Sequence, residues 1–209
     1  LEARVKSMLR IKRLQDALEE RERELSEVNA RLLKIAQTDS LTGLDNRRYL
    51  EERLEEAFGH SRRLKEPVAV VLCDLDRFKS VNDTYGHQSG DAVLKQLARI
   101  LKQEAREIDR VGRYGGEEFM LLLPGTVLDA AVTFAERARK AVEAHTFSFD
   151  GGTLQRTMSC GVAAWPHPRI EDCDALVKAA DDALYVAKET GRNRVIRFDS
   201  QAFNGHTQF

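Results

Sequence analysis

Two apolar runs end in carboxylates. Asp74 and Asp76 follow the run Pro67-Val68-Ala69-Val70-Val71-Leu72-Cys73, and Glu117 and Glu118 precede the run Phe119-Met120-Leu121-Leu122-Leu123. Anions at the mouths of buried segments are costly unless a cation or a partner lies close by. Oxygen donors of this kind suit a hard cation: Mg²⁺ takes one or two carboxylates and completes its octahedron with phosphate oxygens and water. Asp74 and Glu117 supply that pair if their strands are neighbours. Two plainer readings stand beside this one: Asp74 caps the turn that follows it, and the Glu117 segment is an ordinary hairpin.

The elements that must position these acids follow from pattern. Each apolar run fits a buried strand, the second closed by Pro124-Gly125. Gly115-Gly116 reads as a two-residue hairpin turn, since both residues can take positive φ, with flanks over 109–114 and 119–123. Periodicity predicts helices over 47–58, 91–105, 128–144 and 174–189, and strands over 68–74, 154–164 and 194–198. The expected fold class is α/β, with helices around a mainly antiparallel central sheet.

The chain has 209 residues, 42% of them hydrophobic, enough for one domain with a sizeable core and an appendage. A formal charge of −1 gives no electrostatic reason to expect a nucleic-acid partner. No stretch approaches the roughly 20 apolar residues of a membrane span and no signal peptide is evident, so a cytoplasmic protein with no membrane partner is expected. Cys73, Cys160 and Cys173 lack metal-ligand spacing and read as reduced thiols used for packing. The first residue is Leu1, which suggests a fragment of a longer protein whose upstream sensor is missing.

Residues 1–37 read as one helix. Ile11, Leu18, Leu25 and Leu32 share one position of a 3,4 repeat and Leu14, Val28 and Ile35 the other, the pattern of a parallel homodimeric coiled coil. Arg21 interrupts the seam, which would let the coil hold more than one register. Leu1, Val5 and Met8 fall out of phase, and that short segment is similar to the last helix of a response-regulator receiver domain. The alternative is a single helix packed on its own domain.

Several separated segments together resemble one family. They are Asp39-Ser40-Leu41-Thr42-Gly43-Leu44-Asp45-Asn46-Arg47-Arg48, the stretch from Asp74 to Asp83, Tyr85-Gly86-His87-Gln88-Ser89-Gly90-Asp91, the turn Arg113-Tyr114-Gly115-Gly116-Glu117-Glu118-Phe119, and Ala187-Lys188-Glu189-Thr190-Gly191-Arg192-Asn193-Arg194. This set resembles the GGDEF domain, the catalytic module of diguanylate cyclases, in its Gly-Gly-Glu-Glu-Phe form. The resemblance implies the palm-like fold of nucleotide cyclases over 38–198, after a coiled-coil helix over 1–37 and before a polar tail over 199–209.

The same resemblance implies a reaction: two GTP molecules condense to cyclic di-GMP with release of two pyrophosphates. It assigns Asp74, the Leu75 carbonyl and Glu117 to Mg²⁺, with Mn²⁺ as a substitute, and makes Glu117, Asp74 and Lys79 the catalytic set. The identity of the general base stays open between Glu117 and metal-bound hydroxide. Glu118, on the opposite face of its strand, is expected to support geometry. Backbone amides from Arg77 through Phe78 to Lys79 can wrap the outer phosphates, and Lys79, Lys188 and Arg192 add positive charge. Lys188 and Arg192 can equally be read as complements to a helix C-terminus.

Asn82 and Asp91 are implied to select the base, because a carboxylate accepts from guanine N1–H and N2–H whereas adenine has no donor at N1. Leu41 and Leu94 are expected to line that pocket, and His87 either touches substrate or holds a turn. Arg106 and Asp109 match an RxxD inhibitory site for the product, with Arg137 as a further contact; the plain alternative is a surface ion pair. Because each protomer would hold half of the reaction, the resemblance implies a homodimer regulated by an upstream sensor or receiver domain. The competing functions are an inactive receptor for GTP or cyclic di-GMP and a dimerisation scaffold.

Overall fold

The computed structural model describes residues 2 to 200, and within the first helix the side chains at 12, 14–16, 18–28, 32 and 35 onward. The seam position Ile11 and the out-of-phase Leu1, Val5 and Met8 therefore lie outside the described side chains, as does the tail over 201–209. The chain divides into two compact units, Leu1–Gln37 and Thr38–Phe209.

The first unit is one uninterrupted helix, α1 (Glu2–Gln37). Its seam residues Leu14, Leu18, Leu25, Val28, Leu32 and Ile35 are 54 to 68% exposed. Arg21 turns to Glu24 on its own helix, Nη1 to Oε2 3.1 Å. An apolar row this exposed has no packing partner within its own helix.

The second unit runs β1 (Asp45–Asn46), α2 (Arg47–Leu64), β2 (Val68–Leu75), α3 (Phe78–Tyr85), α4 (His87–Glu104), β3 (Arg110–Arg113), β4 (Glu118–Pro124), α5 (Leu128–Ala144), β5 (Thr146–Phe149), β6 (Gly152–Gln155), β7 (Met158–Trp165), α6 (Cys173–Glu189) and β8 (Val195–Arg197). The main sheet has the order β1-β3-β4-β2-β7-β8. Its three inner ladders, β3/β4, β4/β2 and β2/β7, are antiparallel, and the outer pairs β1/β3 and β7/β8 are parallel. The expected mainly antiparallel sheet is what the chain builds.

Strand β2 is buried along its whole length because helices cover both faces. Alternate residues serve opposite cores: Ala69, Val71, Cys73 and Leu75 join the layer with α3, α4 and α5, while Val68, Val70 and Leu72 join the layer with α2 and α6. By the period of two, Asp74 leaves the sheet on the α2/α6 side. The thiols of Cys73 and Cys160 meet across the β2/β7 ladder, Sγ to Sγ 3.3 Å, as free, buried cysteines.

The structure corrects the expected elements in four places. Helix α2 runs six residues past 58, helix α4 begins at His87 instead of 91, and the eight residues of α3 were not foreseen. The strand expected over 154–164 is split: Thr146–Phe149 and Gly152–Gln155 form their own hairpin around Gly151, and β7 starts only at Met158. Between α3 and α4 stands Gly86 alone, at φ 80°, ending one helix and starting the next. A side chain is strained in that conformation, so glycine is what permits the sharp change of direction.

Candidate active site

Strand pairing brings the two acidic segments together. Asp74 pairs in register with Glu118, and Leu75 N–H donates to the Glu117 carbonyl at 3.4 Å. From the last turn of α6, Lys188 Nζ reaches Asp74 Oδ2 at 2.6 Å and lies 3.8 Å from Glu118 Oε1. An ammonium thus occupies the space between two carboxylates. Asp74 is 7% exposed. Burial pushes its pKa up to about 6; the Lys188 hydrogen bond and charge pull it down, and the charges of Glu117 and Glu118 raise it again.

The turn that carries Glu117 differs from the expected one. Arg113 pairs with Phe119 and both Tyr114 N–H and Gly115 N–H donate to the Glu118 carbonyl, at 2.8 and 3.2 Å, so the loop holds three residues, 115–117. Neither Gly115 nor Gly116 is among the positive-φ glycines. The hairpin is held from outside instead. Arg113 donates to the Gly116 carbonyl through Nε (3.0 Å) and Nη2 (2.7 Å) and pairs with Asp39 at 3.3 Å. Asp39 also accepts from Thr42 N–H (2.9 Å) and Thr42 Oγ1 (2.7 Å). Burial alone would raise Asp39, but the Thr42 hydrogen bonds and the Arg113 charge outweigh it and hold the carboxyl below its usual range. Register puts Glu118 beside Asp74, on the same side of the sheet.

Asp76, two residues beyond Asp74, has a different fate. It is 4% exposed and accepts from Thr157 Oγ1 (2.6 Å), Ser159 Oγ (2.6 Å) and Asn193 N–H (3.0 Å). Its own N–H donates to the Thr157 carbonyl at 2.9 Å. A carboxylate held by three donors is a clamp between β2, β7 and the loop after α6, with most of its accepting capacity taken.

Of the other sequence-assigned residues, Lys79, His87, Asp91, Arg106 and Arg192 are exposed. Asn82 sits on α3 with its Oδ1 against Gly90 of α4, 2.0 Å from where a Cβ at 90 would stand, which places it beside the turn bearing Asp91. Phe78 and Leu94, 6% and 1% exposed, belong to the core. Their side chains support the α3–α4 layer, and Leu41 is half-buried against the same core.

At the far end of the hairpin, Asp109 is 2% exposed. Its Oδ2 accepts from Arg106 N–H at 2.8 Å, and its Oδ1 is buried without a partner among the described residues. Arg137 is held by Glu104 through Nε (2.5 Å) and Nη2 (2.8 Å, to the carbonyl). Ile108, inside the RxxD segment, lines a cavity of about 790 Å³ with Arg53, His60, Arg63 and Arg110.

A divalent ion fits this mouth by donor chemistry. All candidate donors are hard oxygens, and the Lys188 ammonium shows that a positive charge is accommodated between Asp74 and Glu118. No three His, Cys, Asp or Glu side chains among the described residues converge on one ion. The protein would therefore supply two carboxylates and a backbone carbonyl, leaving the rest of the shell to water and phosphate, as Mg²⁺ prefers.

Residues 36–194 match the family model described as "Diguanylate cyclase, GGDEF domain". The chain is 41% identical over 170 residues to "Diguanylate cyclase A" of Treponema denticola, covering 80% of this chain and 46% of that protein. It is 40% identical over 198 residues to "Response regulator PleD" of Caulobacter vibrioides, covering 94% and 42%. It thus spans less than half the length of these curated relatives. The crystal structure of the coiled coil and GGDEF domain of DgcB from Caulobacter crescentus in complex with c-di-GMP superposes with a TM-score of 0.81 at 32% identity, covering 88% of this chain and 97% of that one. Among the described residues no helix is long and apolar enough to cross a membrane.

Proposed function

Since the chain belongs to the diguanylate cyclase GGDEF-domain family, we propose that it condenses two GTP molecules into cyclic di-GMP and two pyrophosphates, with the acidic mouth at Asp74 as the reacting centre. One observation carries this reading: Asp74 lies buried against the charges of Glu117 and Glu118, with a lysine ammonium between acids at the end of an otherwise apolar strand. Such crowding is unfavourable in a merely structural site.

Asp74, the Leu75 carbonyl and Glu117 would hold Mg²⁺. When bound, that ion neutralises polyphosphate charge and lowers the pKa of the attacking 3′-hydroxyl. Glu117 takes the hydroxyl proton; its turn is fixed by the Arg113 bonds to Gly116 and Asp39, so its position needs no adjustment during reaction. Lys79, Lys188 and Arg192 hold the phosphates. Asn82 and Asp91 read guanine, and the contact of Asn82 with Gly90 sets their spacing.

The dimer this chemistry needs is assigned to the exposed seam of α1, in keeping with the similar structure of the coiled coil and GGDEF domain of DgcB. Arg106, Asp109 and Arg137 form the product-inhibition site, supported by the partnerless Oδ1 of Asp109. Regulation comes from a sensor or receiver domain elsewhere in the whole protein. Incubation of the purified chain with GTP and Mg²⁺, followed by chromatography, should yield one cyclic dinucleotide per two pyrophosphates. Tight GTP or cyclic di-GMP binding with no turnover would establish the receptor reading in its place.

A further inference from the structure

Beside the acidic mouth lies a cavity of about 510 Å³ lined by Asp76, Arg77, Glu143, Gln155, Arg156, Thr157, Gly191, Arg192 and Asn193. Its charges are unbalanced. Asp76 is engaged by Thr157, Ser159 and Asn193, and Glu143 by Arg139 and Asn193, so both carboxylates are already satisfied. None of the three arginines forms an ion pair among the described residues. Arg156 donates through Nη1 to the Gln155 carbonyl (2.9 Å) and through Nη2 to Ser80 Oγ (3.3 Å), while its Nε is buried with no partner. Ser80 Oγ in turn donates to the Arg77 carbonyl at 2.8 Å. Arg156 therefore braces the turn at Arg77–Lys79 with two of its five N–H donors and keeps the others unused.

A second observation points to the same place. Among the described residues, the non-glycine ones with positive φ are Lys65, Arg77, Arg192 and Asn193, and all but Lys65 line this cavity. Strained backbone of this kind persists where a site demands it. The pairing of β2 with β7 sets Asp74 opposite Ser159, and the Asp76 N–H bond to the Thr157 carbonyl carries that register one step on, so that Arg156 comes opposite Arg77.

We propose that Arg156 is a further substrate-binding residue, whose guanidinium, with Arg77 and Arg192, holds the terminal phosphates of the nucleotide and the pyrophosphate that leaves. This inference rests on the cyclase reading for the origin of the pyrophosphate, but its test is direct binding. A planar guanidinium with more than one free N–H suits two phosphate oxygens at once, a geometry lysine cannot copy. In sequence the residue was silent: a lone arginine inside the strand expected over 154–164, outside every segment that carries the family resemblance.

Titration calorimetry of the purified chain, at fixed Mg²⁺, should compare pyrophosphate with GMP, which lacks the terminal phosphates. Arg156→Gln is expected to weaken pyrophosphate binding about tenfold, the worth of one charge-assisted hydrogen bond, with GMP affinity unchanged. Arg156→Lys should lose about threefold, since charge survives but the fork does not; it also carries the test if the glutamine variant does not fold. Parental pyrophosphate affinity in both variants, or an equal loss for GMP, would overturn the proposal. A parent that binds pyrophosphate but makes no cyclic dinucleotide would sink the cyclase reading alone.

Discussion

The end of β2 separates two charged regions that are opposite in sign and in degree of satisfaction. On one side Asp74, Glu117 and Glu118 crowd together with one ammonium, Lys188, between them. On the other, Arg77, Arg156 and Arg192 surround a cavity whose carboxylates are spoken for. Each region lacks what the other has in excess. A nucleotide triphosphate carrying a divalent ion is a ligand of that shape, positive where it meets the acids and negative where it meets the arginines. Asp74 and Asp76 sharpen the contrast, since two aspartates in one short segment are given opposite tasks by their surroundings: one is left under-satisfied and the other is locked by three donors.

The comparison breaks first in activity. Asp74→Asn or Glu117→Gln should lower cyclic di-GMP formation by on the order of 10² to 10³, measured as initial rate with the fold verified by circular dichroism; rates within threefold of the parent would remove the acidic mouth from catalysis. In stability the two aspartates should part ways. Asp76→Ala leaves two hydroxyls and an amide without their acceptor and should cost about 3 kcal/mol in denaturant unfolding, whereas Asp74→Asn should be neutral or stabilising near pH 7 because its surroundings disfavour the charge. Equal losses in both would show that the two sites are not distinct.

Smaller effects come from pH. The pKa of Asp74, about 6, lies above the usual 3.8, so the folded chain holds an extra proton in that window and this group's contribution to stability falls as pH rises through it. A divalent ion competes with that proton. The rise in Tm on adding Mg²⁺ should therefore be larger at pH 7 than at pH 5, and Asp74→Asn should abolish the difference. Lys188→Met removes the group that lowers the Asp74 pKa, so the midpoint of this Mg²⁺ effect should move to higher pH; a midpoint that stays put would mean that Lys188 does not govern Asp74.

The acids of the mouth were legible because they interrupt apolar runs, and an apolar run that ends in charge is hard to mistake. The clamps behind them were not. Asp76 and the Asp39–Arg113 pair join residues 81 and 74 positions apart, and nothing local in the chain announces which hydroxyl or guanidinium a carboxylate will meet. The Gly115-Gly116 turn was misread because glycine permits positive φ without requiring it, and the Arg113 bonds to Gly116 settle the loop differently. Asp150-Gly151 carried a usable hairpin signal, overlooked because the flanking strands are only four residues each. Helix α3 escaped for the same reason of length: eight residues barely exceed two turns, and its stability comes from packing on α4.

The single residue between those two helices reaches further than its size suggests. Asn82 and Asp91, assigned to the purine edge, hang from α3 and α4 on either side of Gly86. One pair of backbone torsions governs the angle between them. Under the proposed function, discrimination among bases would consequently be a local property of the ten residues from Asn82 to Asp91, folded about one glycine.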